Sequence, residues 1–294
     1  MSRPDVRPVS DNLVGAAFMV AAMAGFAFED MFLKRATAEL PVGQALAIFG
    51  LLGTIYFSAR ALSRGEPVLH PLMVSRPMLL RALFEGSARM FYTLAIAVTA
   101  LSNATAIMQA TPIVVVAGAA LFMHEQVGWR RWLAIWIGFG GVLLILRPGA
   151  EGFDAASILV FLGMLGFAGR DLATRAAPLG LSNAQLGICG FSVLIPVGLL
   201  LLAVTGGAVL PSPGAFANLL CGSAFGLAAY SALTQAMRTG EVSVVTPFRY
   251  SRLLFGVALG MLFFGERPDL ATYLGSAIIL ASGLFIMFRQ GRRK

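Results

Sequence analysis

Long apolar runs, separated by short polar turns, recur along the whole chain. A membrane-spanning helix needs roughly 20 consecutive and mostly apolar residues. Ten segments meet this requirement, at about 12–33, 42–60, 78–99, 101–123, 131–147, 155–176, 183–205, 214–237, 242–264 and 270–288. The pattern therefore predicts an all-α integral membrane protein with ten transmembrane helices.

Basic residues are distributed unequally between the two ends of these segments. Lys and Arg are enriched on the cytoplasmic side of membrane proteins. With a cytoplasmic N-terminus, fourteen Lys and Arg residues fall at inner ends and four at outer ends. This bias predicts a multi-pass protein of the bacterial inner membrane with both termini in the cytoplasm. Because the first apolar run lacks a small-residue cleavage site, it is interpreted as a retained helix rather than a signal peptide.

The two halves of the chain resemble each other. A shift of 141 positions aligns polar residues in two separate regions: Asp30 with Asp171, Ser102 with Ser243, Thr105 with Thr246, and Glu125 with Glu266. Polar matches carry the weight here, because identity among apolar residues arises easily by chance. The halves, 1–148 and 149–294, then hold five helices each, and an odd number of helices inverts the second copy relative to the first.

Composition agrees with a membrane protein. Hydrophobic residues make up 58% of the chain and charged residues 12%, whereas a soluble domain carries about 25% charged residues. The mean hydropathy is +0.82. The formal net charge is +8, but the basic residues lie mostly in short turns between apolar runs. That distribution predicts a lipid bilayer as the partner and no nucleic acid.

The sequence carries no sign of an enzyme. Cys189 and Cys221 do not form a metal-binding spacing, and no phosphate-binding glycine loop or nucleophile motif is present. We therefore expect no cofactor, no metal and no catalytic residues. An intramembrane enzyme would need a paired catalytic set, but Glu29 and Asp30 are adjacent and so point to different sides of a helix.

Four arginines lie inside predicted helices: Arg81, Arg89, Arg249 and Arg252. Each charge at the bilayer centre costs about 2.5–3.5 kcal/mol unless it is paired or faces a watery cavity. Arg81, Glu85 and Arg89 are spaced four apart and share one helix face, so an internal salt-bridge ladder is one interpretation. A position facing a cavity is the other. At a rise of about 1.5 Å per residue, Arg89 and Arg252 both reach close to the midplane.

We interpret Arg89 and Arg252 as unpaired cavity cations that together bind an acidic group of a substrate, one from each half. Arginine suits this role because it binds carboxylates bidentately. Glu29 and Asp30 are expected to neutralise part of the remaining charge. The other candidate substrate contacts are Glu85, Tyr92, Met108, Gln109, Arg249 and Tyr250, and packing is the alternative for Tyr92, Met108 and Tyr250. The candidate proton carriers are Glu29, Asp30 and Glu85.

Two related motifs lie before the last predicted helix of each half. Gly265-Glu266-Arg267-Pro268 follows Leu262-Phe263-Phe264, and Leu121-Phe122-Met123-His124-Glu125 is its first-half counterpart. With these motifs, the chain resembles the drug/metabolite transporter superfamily in its ten-helix EamA branch. The resemblance implies a central cavity surrounded by the first, third, fourth, sixth, eighth and ninth helices. It also implies export of amino acids, or uptake of compounds such as riboflavin or S-adenosylmethionine.

The sequence thus predicts a secondary transporter that moves a small, zwitterionic or anionic, amino-acid-like metabolite by alternating access. Uptake of a vitamin or cofactor such as riboflavin or S-adenosylmethionine is the alternative. A structural or assembly membrane protein is the alternative of another class, although it would not need several buried arginines. We interpret Glu125 and Glu266 as structural cap or hinge elements. The substrate, the direction, the energy source and the choice between monomer and homodimer stay open.

Overall fold

The computed structural model describes residues 9–122, 128–146, 156–175, 180–239 and 246–291. Within these residues the secondary structure is helical, without a strand, and helices occupy each of the ten predicted segments. The helices are α1 (Val9–Ala36), α2 (Val42–Leu62), α3 (Arg76–Val98), α4 (Leu101–Met108), α5 (Thr111–Phe122), α6 (Trp129–Leu146), α7 (Ala156–Arg175), α8 (Asn183–Ser192), α9 (Leu194–Thr205), α10 (Pro213–Thr239), α11 (Ser251–Phe264) and α12 (Leu270–Gly291). Two 3-10 turns, η1 (Pro71–Val74) and η2 (Thr246–Tyr250), precede α3 and α11.

Several of these helices are long and apolar enough to cross a membrane. Among the described residues, six spans meet both criteria: Leu13–Ala36, Val42–Leu62, Leu101–Phe122, Ala156–Thr174, Asn183–Thr205 and Pro213–Leu233. Two shorter apolar helices are Trp132–Ile145 and Leu270–Phe285. Helix α3 carries Arg81, Glu85 and Arg89, which lower its hydropathy, and α11 has only 14 residues. The chain is therefore a multi-pass membrane protein.

The fourth predicted segment is not a continuous helix. It breaks at Gln109 and Ala110, between α4 and α5. Pro112 causes the break, because it has no N–H to donate to the carbonyl of Met108. The hydroxyl of Thr111 donates to that carbonyl instead, at 2.6 Å. The ninth segment changes from the 3-10 turn η2 to α11 at Tyr250, which the shift of 141 positions pairs with Gln109.

Most helices of the first half pack mainly against helices of the second half. The pairs are α1 with α10, α2 with α8 and α9, α3 with α7, α4 with α11, and α6 with α12. Helices α1 and α10 approach closely, since a Cβ on Gly25 would lie 2.9 Å from the Cβ of Ala229. Helices α6 and α12, the predicted fifth and tenth spans, pack mostly on each other.

Glu266 caps the N-terminus of α4. Its carboxylate accepts the backbone N–H of Leu101 at 2.6 Å and that of Ser102 at 2.9 Å. These two N–H groups lack partners inside α4, because the first turn of a helix leaves its donors free. Gly260 makes room for this contact, since a Cβ there would overlap the Glu266 carboxylate. The predicted capping role is confirmed for Glu266, and its counterpart Glu125 lies outside the described residues.

Candidate functional site

Two ion pairs lie at the centre of the helix bundle. Arg89 on α3 contacts Glu29 on α1 at 2.5 Å, and Arg252 on α11 contacts Asp30 on α1 at 2.5 Å. Both carboxylates are 1% exposed. Glu29 and Asp30 are adjacent in sequence and point to different neighbouring helices, as expected. Each buried charge therefore has an opposite charge in contact, which offsets part of its cost in the bilayer.

The expectation that Arg89 and Arg252 are unpaired cations is wrong. Sequence reasoning expected Glu29 and Asp30 to neutralise only the remaining charge, but the two carboxylates contact these two arginines directly. The physical reason is that α1 passes close to both α3 and α11, so its acids reach into the same region. Any contact of these two arginines with a substrate is therefore made by a paired guanidinium and not by an unpaired one.

Aromatic rings surround the two pairs. The hydroxyl of Tyr92 donates to Asp30 at 2.9 Å and is fully buried. The Arg252 guanidinium lies 5.4 Å from the ring centre of Phe26, and that of Arg89 lies 5.7 Å from the ring centre of Phe167. The 141-position shift pairs Phe26 with Phe167. The faces of such rings attract cations and hold the guanidinium groups in place.

A third acid, Glu85, connects the centre to the end of α3 predicted to be cytoplasmic. Its carboxylate lies 4.0 Å from Arg81, 3.7 Å from Arg89 and 3.3 Å from Arg170. These contacts agree with the salt-bridge ladder of Arg81, Glu85 and Arg89, which the sequence left as one of two interpretations. Sequence reasoning missed Arg170 on α7, which it counted only as a basic residue at a helix end. The repeat alignment could have found it, since the same shift pairs Arg170 with Glu29.

The network ends at Asp171 and Arg249. Asp171 contacts Arg170 at 2.8 Å and faces Arg249 at 3.9 Å. The arrangement parallels the centre, where the repeat-related Asp30 binds Arg252. Side-chain exposure rises along the network, from 1% at Asp30 to 17% at Arg252 and 30% at Arg249. The network therefore begins in the buried core and becomes more exposed toward Arg249.

The remaining predicted contacts have structural partners. Gln109 donates to the backbone carbonyl of Tyr250 at 2.9 Å, so it connects the break after α4 to the start of α11. Met108 is buried in the main hydrophobic cluster. The Tyr250 ring packs against Gly283, where a Cβ would overlap its hydroxyl. Gln109 thus positions backbone, and Met108 and Tyr250 pack against neighbours.

The two ends of the bundle carry small surface pockets. A pocket of about 410 Å³ lies at the C-terminal end of α1, lined by Lys34, Arg35, Ala38, Glu39, Ala97, Asn218 and Phe264. A pocket of about 90 Å³ lies between α2, α8 and α10, lined by Phe57, Arg60, Arg64, Asn183, Ala184, Tyr230, Ser231 and Gln235. In the described part of the chain, no group of three or more His, Cys, Asp or Glu residues could hold a metal ion.

A multi-pass helical bundle whose centre holds paired charges from both halves is typical of a membrane transporter. The sequence model of the EamA-like transporter family matches residues 13–147 and, a second time, residues 155–288. The chain therefore belongs to the EamA-like transporter family.

Curated relatives carry transporter names. The chain is 29% identical over 286 residues to a riboflavin transporter of Rhizobium johnstonii, covering 97% of this chain and 94% of the relative. It is 25% identical to an S-adenosylmethionine uptake transporter of Rickettsia bellii, covering 80% and 78%. It is also 25% identical to the pseudopaline exporter of Pseudomonas aeruginosa, covering 92% and 95%. The relatives' names thus include both uptake and export.

The fold also matches that of a protein of known crystal structure. The TM-score is 0.60 at 16% sequence identity, and the match covers 97% of this chain and 98% of the other. At this level of identity the likeness concerns the fold alone.

Proposed function

We propose that the protein is a secondary transporter that moves a small zwitterionic or anionic, amino-acid-like metabolite across the bacterial inner membrane by alternating access. Its ten helical segments form two inverted five-helix repeats, 1–148 and 149–294, and both termini lie in the cytoplasm. The two separate matches to the family's sequence model support the repeat. The packing of most first-half helices against second-half helices supports a site between the repeats.

One observation carries the proposal: the buried pairs Arg89–Glu29 and Arg252–Asp30 hold polar atoms to which the described residues offer no hydrogen bond. Within the described part of the chain, Glu29 Oε2 and Asp30 Oδ1 are buried acceptors without a donor, and the Nε atoms of Arg89 and Arg252 are buried donors without an acceptor. Buried polar groups are normally hydrogen-bonded, and those without a protein partner indicate a position for a ligand, an ion or water. A substrate with both donors and acceptors would satisfy this set.

The same pairs provide a route for energy coupling. Glu29, Asp30 and Glu85 are each paired with at least one arginine, and these three acids are the candidate proton carriers. A substrate anion that takes over a guanidinium would leave the carboxylate without its counter-ion and able to accept a proton. Substrate binding and proton binding would then favour each other.

Uptake of a vitamin or cofactor is the second candidate function. The similarity to the riboflavin transporter of Rhizobium johnstonii across nearly the whole chain favours it. The rings of Phe49, Phe167 and Tyr92, which lie beside the guanidinium groups, could also stack with a flat heterocycle. A structural or assembly role has no comparable support, because it would not require partly unsatisfied charges in the core.

The test is a substrate screen followed by a flux measurement. Thermal shifts of the purified protein with amino acids, organic acids, nucleosides, riboflavin and S-adenosylmethionine identify ligands. Uptake of each ligand is then measured in vesicles reconstituted with the wild-type protein and with an R89A/E29Q variant, which removes one central pair together. We expect flux in wild-type vesicles and at least a tenfold loss in the variant. Wild-type vesicles that accumulate no ligand would contradict transport.

A further inference from the structure

Among the described residues, the charged network has one positive charge more than it has negative charges. Its arginines are Arg81, Arg89, Arg170, Arg249 and Arg252. Its acids are Glu29, Asp30, Glu85 and Asp171. Five positive charges against four negative charges leave a net charge of +1. An uncompensated charge is costly inside a membrane protein, so the identity of the surplus arginine matters.

Arg249 is one of two arginines in the network with a long ion-pair distance. Its guanidinium lies 3.9 Å from Asp171, whereas Arg252 contacts Asp30 at 2.5 Å and Arg170 contacts Asp171 at 2.8 Å. Among the described residues, its guanidinium donates no hydrogen bond. Its side chain is also the most exposed of the five, at 30%.

Arg81 is the other arginine with a long ion-pair distance, 4.0 Å to Glu85. It differs from Arg249 in being held by neutral partners. It donates to the hydroxyl of Thr174 at 3.0 Å and to the carbonyl of Leu186 at 3.4 Å, and its side chain is only 5% exposed. Arg81 is therefore part of the packing, and among the described arginines of the network Arg249 combines a long ion-pair distance with the most exposed side chain.

Hydrogen bonds hold the backbone around Arg249, whereas its guanidinium has the 3.9 Å ion pair to Asp171. Gln109 donates to the carbonyls of Arg249 and Tyr250, at 3.4 Å and 2.9 Å. Opposite the guanidinium, Asp171 is already bound through its other oxygen to Arg170. An incoming anion can therefore take Arg249 from Asp171 without leaving that acid unpaired. Among the described ion pairs, Arg170–Glu85 also has a shared acid, but Arg170 is held in addition by Asp171 at 2.8 Å and its side chain is less exposed, at 23%.

We infer that Arg249 anchors the acidic group of the substrate and that the transported species carries one net negative charge. The inference rests on the proposed transport function and narrows its substrate class from zwitterions and anions to monoanions. A carboxylate fits best, because the planar guanidinium binds it with two parallel hydrogen bonds. The bound complex then has no net charge, which lowers the cost of holding it inside the bilayer. Neutral molecules and cations are excluded as the preferred cargo.

The experiment compares charged and neutral molecules of the same shape in reconstituted vesicles. The probes are L-glutamate with L-glutamine, L-aspartate with L-asparagine, and any acidic ligand from the thermal-shift screen with its amide. The proteins are wild type, R249Q, R249K and the control R60Q. Arg60 is also a helix arginine, but it binds Tyr56 and Ser231 in a surface pocket outside the network.

We expect wild type to transport the anion of at least one pair about tenfold faster than the neutral partner. R249Q should lose that preference, R249K should keep it with a raised KM, and R60Q should behave as wild type. Faster transport of the neutral partner by wild type, or an unchanged preference in R249Q, would overturn the inference while leaving transport intact. Absence of wild-type flux with every ligand would instead reject the proposed function, and the inference with it.

A second measurement needs neither a substrate nor a variant. Phenylglyoxal reacts with accessible guanidinium groups, and mass spectrometry of the modified wild-type protein gives the rate at each arginine. We expect Arg249 to react faster than Arg81, Arg89, Arg170 and Arg252. Slower reaction at Arg249 than at Arg252 would overturn the assignment of the surplus charge, even if R249Q failed to fold.

Discussion

Arg252 and Asp30 are 222 residues apart in the sequence, and their side chains form a 2.5 Å ion pair at the centre of the bundle. The pair connects α11 to α1 and so joins the two halves of the chain. Asp30 also accepts the hydroxyl of Tyr92 on α3, which brings a third helix to the same carboxylate. Burying two charges costs desolvation energy that their attraction often only offsets. The pair therefore serves specificity or function more than stability.

Removing one partner of this pair should destabilise the protein strongly. R252A leaves the Asp30 carboxylate buried without its counter-ion. D30N likewise leaves the Arg252 guanidinium buried without its counter-ion. Each should cost about 3–5 kcal/mol. The double variant R252A/D30N should recover at least half of that cost, because neither charge is orphaned. Melting temperatures in one detergent, with R60A as the control at a surface pocket, give the comparison. Equal melting of R252A and wild type would mean that the pair does not form.

The helices were predictable from the sequence, because their apolar runs must match the bilayer thickness. The partners of the buried charges were not. Glu85 is shared by Arg81, Arg89 and Arg170, and the choice among them depends on how α3 and α7 are rotated about their axes. The hydropathy of a segment carries no information about how its helix is rotated. The alignment of the two halves contains part of this information, because it pairs Asp30 with Asp171. Each of these acids faces an arginine of η2 or α11.

Gly226 should be required for transport. A Cβ at this position would lie 2.8 Å from Glu29 Oε2, and Glu29 cannot retreat without leaving Arg89. G226A should therefore reduce flux about tenfold or more while the protein still folds. G222A should have an intermediate effect on flux, because the atom nearest to the added Cβ would be the Cβ of Phe32 at 3.3 Å.

The matched control for Gly226 is Gly140 on α6, where a Cβ would meet nothing within 4 Å. G140A should leave flux unchanged and should raise stability slightly, by about 0.5–1 kcal/mol, because alanine favours the helix. Flux and melting temperature are measured on all three variants. If G226A transports as well as G140A does, the exact position of Glu29 is unimportant.

The topology makes an independent prediction. A reporter fused after Lys294 should show a cytoplasmic location, and one inserted near Gly149 should show a location outside. The basis is the bias of fourteen inner against four outer basic residues. Paired alkaline phosphatase and green fluorescent protein fusions measure both sites, since each reporter is active on only one side. If the reporters at Lys294 and near Gly149 lie on the same side, two inverted repeats of five helices are contradicted.

The last prediction concerns Glu266, whose carboxylate accepts two N–H groups at the start of α4. E266A removes both hydrogen bonds and should cost about 1–2 kcal/mol, as expected for the loss of a helix cap. E266Q keeps one acceptor oxygen and loses the negative charge, which interacts favourably with the positive end of the helix dipole. E266Q should therefore lower the free energy of unfolding by less than E266A does, but by a measurable amount.

The neighbouring Arg267 is exposed, and R267A serves as the control with no expected change. Melting temperature is the main measurement, and flux is the second. Because Glu266 ties the loop after α11 to the turn between α3 and α4, losing the cap should loosen the contact between the two halves. Both variants should therefore change flux in proportion to their loss of stability. A variant that melts normally and yet transports nothing would assign Glu266 a direct role in the transport cycle, and capping would then be its lesser function.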